Sequence, residues 1–289
     1  MLPNLLQRPK CVDQTDYFAF AFALQRLTRT EIGCFPFQEE SYQSAAIEAI
    51  ELPYPTSRSN LEETDAILSN MTRSFAFAPG EFYHVYNRGT EKRNIFSSRA
   101  DYDRFLALLY LCNQASVVHL QLQGRTLKEL SGKREGEPLV AIVAYCLMPN
   151  HFHLLLREVA DGGISKFMQK LTTGYTMYFN KKNERSGSLF QGKFKATYVA
   201  DDRYLRYLVS YIHLNPMKLI EPKWKEIGIS DRAAAERYLA QYGPSSYRDY
   251  LNETRVENVI LSPDVLPEYF DSGMEFKELV TEWLTYGPD

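Results

Sequence analysis

Val140-Ala-Ile-Val-Ala-Tyr-Cys-Leu-Met-Pro-Asn-His-Phe-His-Leu-Leu-Leu-Arg157 decides the fold. The uncharged run from Leu139 to Leu147, with its branched residues, reads as a buried strand. Met148-Pro149-Asn150 makes a turn, and His151 to Arg157 is the returning strand of a hairpin. Side chains alternate faces along a strand, so His151 and His153 point one way and Phe152 the other. Two imidazoles side by side on a hydrophobic strand form half of a metal site. The competing reading is a pair of packed histidines, but the chain holds only five and places two of them here.

Working outward, Phe82-Tyr-His-Val-Tyr-Asn reads as a strand ending at Arg88-Gly89. Asp101 to Cys112 carries Tyr102, Phe105, Leu106, Leu109 and Tyr110 at helical spacing, behind Ser97 or Ser98 as N-cap. Residues 123–138 read as a loop or short helix. Ile164 to Asn180 is a second helix, with Ile164, Phe167, Met168, Leu171, Tyr175, Tyr178 and Phe179 on its apolar stripe after Gly162-Gly163. Lys193 to Ala200 alternates like a strand. Asp201 or Asp202 caps a last helix from Arg203 to about Leu214, which Pro216 ends. The order β-α-β-β-α-β-α predicts an α+β fold with a ferredoxin-like antiparallel sheet. Residues 1–70 read as a poorly defined extension, 71–222 as the domain that carries these elements, and 223–289 as an acidic helical extension. Met71 is a candidate alternative start.

The chain is 45% hydrophobic and 24% charged, ordinary for a globular protein. Its four cysteines form no CxxC pair, which argues against a zinc ribbon or disulfide scaffold and fits a reducing cytoplasm. The apolar run Tyr17 to Leu24 is shorter than the roughly 20 residues needed to span a bilayer, and no signal peptide is expected. The net charge of −3 hides an asymmetry. Residues 71–160 carry a net +3 and residues 161–225 a net +7, between flanks of −5 and −8. A basic centre of this kind suits a polyanion; solvated basic faces are the bland alternative.

Candidate partners for the histidines lie on the last helix. Tyr204, Tyr207 and Tyr211 form one stripe, otherwise an aromatic core stripe, and Asn215 lies four residues beyond Tyr211 on the same side. The amide oxygen of Asn215 would serve as third ligand to a hard or borderline cation. His213 faces elsewhere and is less favoured. Such a donor set suits Mg²⁺ or Mn²⁺ held partly by substrate oxygens, and three protein ligands also suit Zn²⁺. A tyrosine nucleophile, with an ordinary pKa of about 10, needs a metal at the phosphate to stabilise developing charge. Arg88, Lys166, Lys170, Lys193, Lys195, Arg203 and Arg206, with Lys181, Lys182 and Arg185, are candidates for the DNA backbone. Phe190, Phe194 and Tyr198 could stack bases, although each singly is more often core.

Tyr83-His-Val-Tyr-Asn-Arg-Gly89, Met148-Pro-Asn-His-Phe-His153, Gly192-Lys-Phe-Lys195 and Tyr211-Ile-His-Leu-Asn-Pro216 occur in this order. Together they resemble the REP-associated tyrosine transposases, single-tyrosine HUH transposases of the IS200-like superfamily. The resemblance covers about residues 75–220, with weaker likeness to about 285. It implies the ferredoxin-like sheet and cleavage of single-stranded DNA beside hairpin-forming repeats, with a divalent metal and no nucleotide cofactor. On this resemblance His151 and His153 hold the metal with Asn215. Tyr211 forms a 5′-phosphotyrosine and releases a 3′-hydroxyl, and strand transfer follows without ATP. The partner implied is hairpin-bearing single-stranded DNA, with no membrane and with a homodimer left open; the expected location is the cytoplasm, on the nucleoid. The long N-terminal segment and acidic tail depart from the shortest members, and the acidic flanks could shield the basic groove. Two other readings compete: a repeat-binding protein that does not cleave, and a metal-dependent phosphodiesterase with a water nucleophile and a merely packed Tyr211.

Overall fold

The computed structural model describes residues 76–116, 126–132, 136–267, 269 and 272–285. The expectations for residues 1–70, including the extension, and for the candidate start at Met71 lie outside the described residues. Strands β1 (Phe82–Arg88), β2 (Val140–Met148), β3 (His151–Glu158) and β4 (Lys195–Tyr198) form an antiparallel sheet in the order β2-β3-β1-β4. Helix α1 (Arg99–Leu111), the single turn α2 (Leu127–Leu130) and helix α3 (Gly163–Lys182) fill the connections. Helix α4 (Asp202–Leu214) follows β4. The chain then continues through α5 (Trp224–Ile227), α6 (Arg232–Gln241), α7 (Tyr247–Tyr250) and α8 (Gly273–Thr285). The α+β ferredoxin-like order expected from the sequence is therefore the one observed.

Local chemistry explains the helix starts. Ser98 and Asp101 form a capping box at α1, and the Asp101 carboxylate accepts the Ser97 and Ser98 amides at 2.9 Å. Asp201 accepts the Tyr204 amide at 2.7 Å to start α4. Gly162 turns the chain into α3 at φ 66°, and Gly163 lets that turn approach β2; a Cβ at Gly163 would stand 2.1 Å from the Leu139 carbonyl oxygen.

The hairpin pairs Leu147 with Phe152 and Met148 with His151 across Pro149-Asn150. Phe152, Leu154 and Leu156, each 0% exposed, face a core shared with Phe105, Phe167 and Leu171 of α1 and α3. Burial of each such side chain stabilises by roughly 1.5–3 kcal/mol. Leu155 faces a second core with Leu208 and Ile212 of α4. A bulge in β2 sits at Val143, between the pairs Ile142–Leu156 and Ala144–Leu155. Val140 and Ile142 before it, and Tyr145 and Leu147 after it, belong to the first core. Val143, Ala144, Cys146 and Met148 belong to the second.

β2 ends the sheet, yet its edge is covered. The Leu147 amide donates to the Pro244 carbonyl at 2.9 Å, the Ser246 amide to the Tyr145 carbonyl at 3.0 Å, and the Ser262 amide to the Ile142 carbonyl at 2.9 Å. Trp224, Leu239, Tyr247, Phe276 and Val280 from the C-terminal helices join the second core. His213 anchors this layer: its Nδ1 donates to the Val209 carbonyl at 2.8 Å, and its Nε2 accepts from Ser246 Oγ at 2.7 Å. No helix among the described residues is long and apolar enough to cross a membrane.

Candidate active site

Strand alternation and register assemble the site on the α4 face of the sheet. Tyr86 of β1 pairs with His153 of β3, Arg88 with His151, and Tyr86 on its other side with Lys195 of β4. His84, Tyr86, Arg88, His151, His153 and Lys195 therefore share one face. Helix α4 lays its tyrosine stripe against it. The Tyr211 ring stands edge-on to His153 at 5.7 Å between centroids and to His84 at 5.9 Å. Tyr207 lies 5.8 Å from Tyr211, and Tyr204 stacks on Tyr207 at 6.0 Å. The structure thus brings Tyr211 to the pair His151 and His153, residues taken from two separate sequence motifs.

The two histidine rings of β3 are 5.0 Å apart and nearly perpendicular. Each engages its Nδ1: His151 with Asn150 Oδ1 at 2.6 Å, His153 with His84 Nε2 at 2.9 Å. Asn150 accepts, so His151 carries its proton on Nδ1. In the same tautomer His153 donates to His84, and Nε2 of each ring is the nitrogen that would meet a metal. Burial, followed by the neighbouring His151, His84, Lys218 and Lys225, holds His153 well below the usual histidine range, in the neutral form that ligates.

Asn215 follows the last turn of α4. Its Nδ2 donates to the Tyr211 carbonyl at 2.9 Å. Its buried Oδ1 has no hydrogen-bond partner among the described residues. A buried amide oxygen left this way is costly unless it meets a cation or donor. Among the described residues no group of three His, Cys, Asp or Glu side chains is placed to hold a metal.

Sequence reasoning did not single out His84, 1% exposed, although period-two reading of β1 places it beside Tyr86. Nor did it find Lys225, whose Nζ lies 4.8 Å from the Tyr211 ring centre, or its neighbours Lys218 and Trp224. These three lie beyond the tyrosine helix, and only packing brings them back.

The basic residues divide between the two faces. Arg88 and Lys195 stand on the histidine face, and Arg88 Nε donates to Gln191 Oε1. Lys193 is exposed just before β4. Arg203 and Arg206 are on exposed positions of α4, with the Arg206 guanidinium 5.8 Å above the Tyr269 ring. Lys166 and Lys170 ride on α3, across the sheet from the histidines. Lys170 Nζ donates to the Gln114, Ala115 and Ser116 carbonyls at 2.6, 3.3 and 2.6 Å, closing the end of α1. Lys182 pairs with the buried Asp101 at 2.6 Å. Phe190 is 5% exposed in the first core, and Phe194 and Tyr198 pack against it. In the tail, Glu236 pairs with Arg232 and Lys277, Glu253 with Arg248, and Glu257 with Arg255. Those carboxylates meet cations of the tail itself.

Comparison with known proteins gives two findings. Among solved structures the chain is similar to one described as "Structure of the REP associates tyrosine transposase bound to a REP hairpin", with 13% identity and a TM-score of 0.41. That match covers 71% of this chain and 96% of the other. No curated protein matches the chain. The sequence model described as "Transposase IS200 like" matches residues 83–215, the stretch that runs from β1 through both histidines to the tyrosine helix.

Proposed function

We propose that the protein is a metal-dependent single-stranded DNA endonuclease and strand transferase that nicks and rejoins DNA at hairpin-forming repeats. The observation that carries this reading is the packing of the Tyr211 ring against His153, which joins a nucleophile to a histidine pair on one sheet face. In this reading the Tyr211 hydroxyl oxygen attacks the scissile phosphorus, loses its proton and becomes a 5′-phosphotyrosine. The departing oxygen takes a proton and leaves as a 3′-hydroxyl. Attack by a second 3′-hydroxyl reverses the bonds, so joining needs no nucleotide cofactor.

The orphaned Asn215 Oδ1 and the neutral His153 fit a hard or borderline cation. His151, His153 and Asn215 would hold Mg²⁺ or Mn²⁺, which when bound supplies Lewis acidity to the phosphate. Tyr207 and Lys225 both pack against the Tyr211 ring, and the Asn215 amide ties the backbone of its helix turn. Arg88 and Lys195 on the same face, with Lys193, Arg203 and Arg206 around it, are the groups that would meet the DNA backbone.

The test incubates labelled single-stranded hairpin oligonucleotides from the native genome with the protein and Mg²⁺ or Mn²⁺. The expected product is a covalent protein–DNA adduct on a denaturing gel, absent from Tyr211→Phe. An adduct that survives Tyr211→Phe would move the nucleophile to Tyr207 or Tyr204. Cleavage without an adduct would favour attack by water, and binding without cleavage a non-cleaving hairpin-binding protein.

A further inference from the structure

Strand β1 runs into a turn, Thr90–Lys92, with a strained backbone. Among the described residues four other than glycine have positive φ, and two of them, Glu91 at 58° and Lys92 at 59°, stand side by side here. In this region the Cβ of an L-residue crowds the following carbonyl, a cost that surrounding contacts must offset. Gly89 permits the tight path, since a Cβ on it would stand 2.3 Å from the Arg93 carbonyl oxygen. Arg88 pairs with His151, so the turn beyond β1 lies beside the turn that precedes β3. The contacts between the two turns are specific. The Gly89 amide donates to the Asn150 carbonyl at 2.8 Å, and the Ile95 and Phe96 amides donate to the Pro149 carbonyl at 2.8 and 3.0 Å. The carbonyl of left-handed Lys92 accepts from Asn150 Nδ2 at 3.3 Å. With Nδ2 committed there, Oδ1 is the end of the amide that meets His151 Nδ1 at 2.6 Å.

We infer that the strained turn after β1 is a positioning device for His151, acting through Asn150. The Lys92 carbonyl fixes which end of the Asn150 amide faces the ring. Asn150 in turn holds the imidazole proton on Nδ1, which leaves the lone pair on Nε2. The Lys92 side chain plays no part; its left-handed backbone does. The purpose of the arrangement rests on the function proposed above, in which Nε2 is the atom that meets the cation. The tautomer itself is a property of the protein without metal or DNA, so the two readings can fail separately.

The test starts from the full chain, free of metal and DNA. Long-range ¹H–¹⁵N spectra of the imidazoles, assigned with His151→Gln, read the tautomer. His151 should carry its proton on Nδ1 in wild type and on Nε2, the form a free imidazole favours in water, in Asn150→Ala. Lys92→Gly, which suits positive φ, should keep the wild-type tautomer. Lys92→Val, whose branched side chain does not suit it, should resemble Asn150→Ala. Calorimetric titration with Mn²⁺ should then find Asn150→Ala and Lys92→Val about 10–100-fold weaker than wild type, with Lys92→Gly as tight as wild type. Melting curves establish that each variant is folded. A proton on Nε2 in wild type, or one that stays on Nδ1 in folded Asn150→Ala, overturns the positioning role. Measurable but equal Mn²⁺ affinity in wild type and Asn150→Ala also overturns it and leaves the metal reading standing. The expected change of tautomer in a protein that binds no Mn²⁺ supports the positioning of His151 and removes the metal reading.

Discussion

His84 lies in the second layer of the site, with its Nε2 on His153 Nδ1 at 2.9 Å and its ring stacked 5.1 Å from that of His153. A buried imidazole in contact with a ligand's second nitrogen sets that ligand's tautomer and angle. His84→Gln should therefore weaken Mn²⁺ binding about 10–100-fold, as other losses of outer-shell partners do. Calorimetric titration of the DNA-free protein reads this without any turnover. Unaltered Mn²⁺ affinity in a folded His84→Gln would remove His84 from the site. The histidine pair and Tyr211 could be found because each lies in a short local pattern. His84 could not, because its role depends on which strand pairs with β1, a long-range fact that alternation does not contain.

His213 ties the tyrosine helix α4 to Ser246, whose hydroxyl also meets the Tyr145 amide at the edge of β2. Burial pushes the His213 ring down to about 3. Its unfolded value is about 6.5, so the unfolded chain binds the extra proton first. Stability from this group is complete above about pH 6.5 and is lost as pH falls toward about 3, roughly 2 kcal/mol of it by pH 5. His153 shifts in the same direction and adds to the loss. Urea midpoints at pH 7.5 and pH 5 should thus differ more in wild type than in His213→Gln, which keeps a neutral polar side chain. Equal differences would mean that His213 is charged in the fold. At α3 the constraint is steric. Gly163→Ala would drive a Cβ to 2.1 Å from the Leu139 carbonyl oxygen and should cost about 1–3 kcal/mol in urea denaturation. The helices and strands were legible to within a few residues, because apolar spacing and caps are local. The predicted strand from Lys193 to Ala200 shrinks to Lys195–Tyr198, because Gly192 at φ 70° turns the chain between that strand and the short contact in which the Gln191 amide donates to the Arg88 carbonyl at 2.9 Å.

In the whole molecule, the residues beyond the tyrosine helix complete the second core and cover the edge of β2. Without them β2 would present nine apolar residues along an open edge, a template for pairing with another chain. A chain cut after residue 222 should therefore aggregate on expression, while the full chain stays monodisperse in size-exclusion chromatography. A soluble, folded 1–222 product would show that the sheet tolerates the open edge. The charge asymmetry of the sequence foretold a basic centre, but not that the sheet would divide it. Lys166 and Lys170 lie across the sheet from Tyr211 because α3 and α4 cover opposite faces, and only the topology shows this.

The Val143 bulge has a consequence for how this chain can change over time. Because it shifts the alternation of β2 by one position, the strand answers to two sets of neighbours whose phase switches midway. Val140, Ile142, Tyr145 and Leu147 can vary only in step with α1 and α3; Ala144, Cys146 and Met148 only in step with the tyrosine helix and the tail. Substitutions in the second set can thus accumulate without disturbing the first. Insertion or loss of a single residue at the bulge would exchange the two sets along half the strand, so length at Val143 is under tighter constraint than identity.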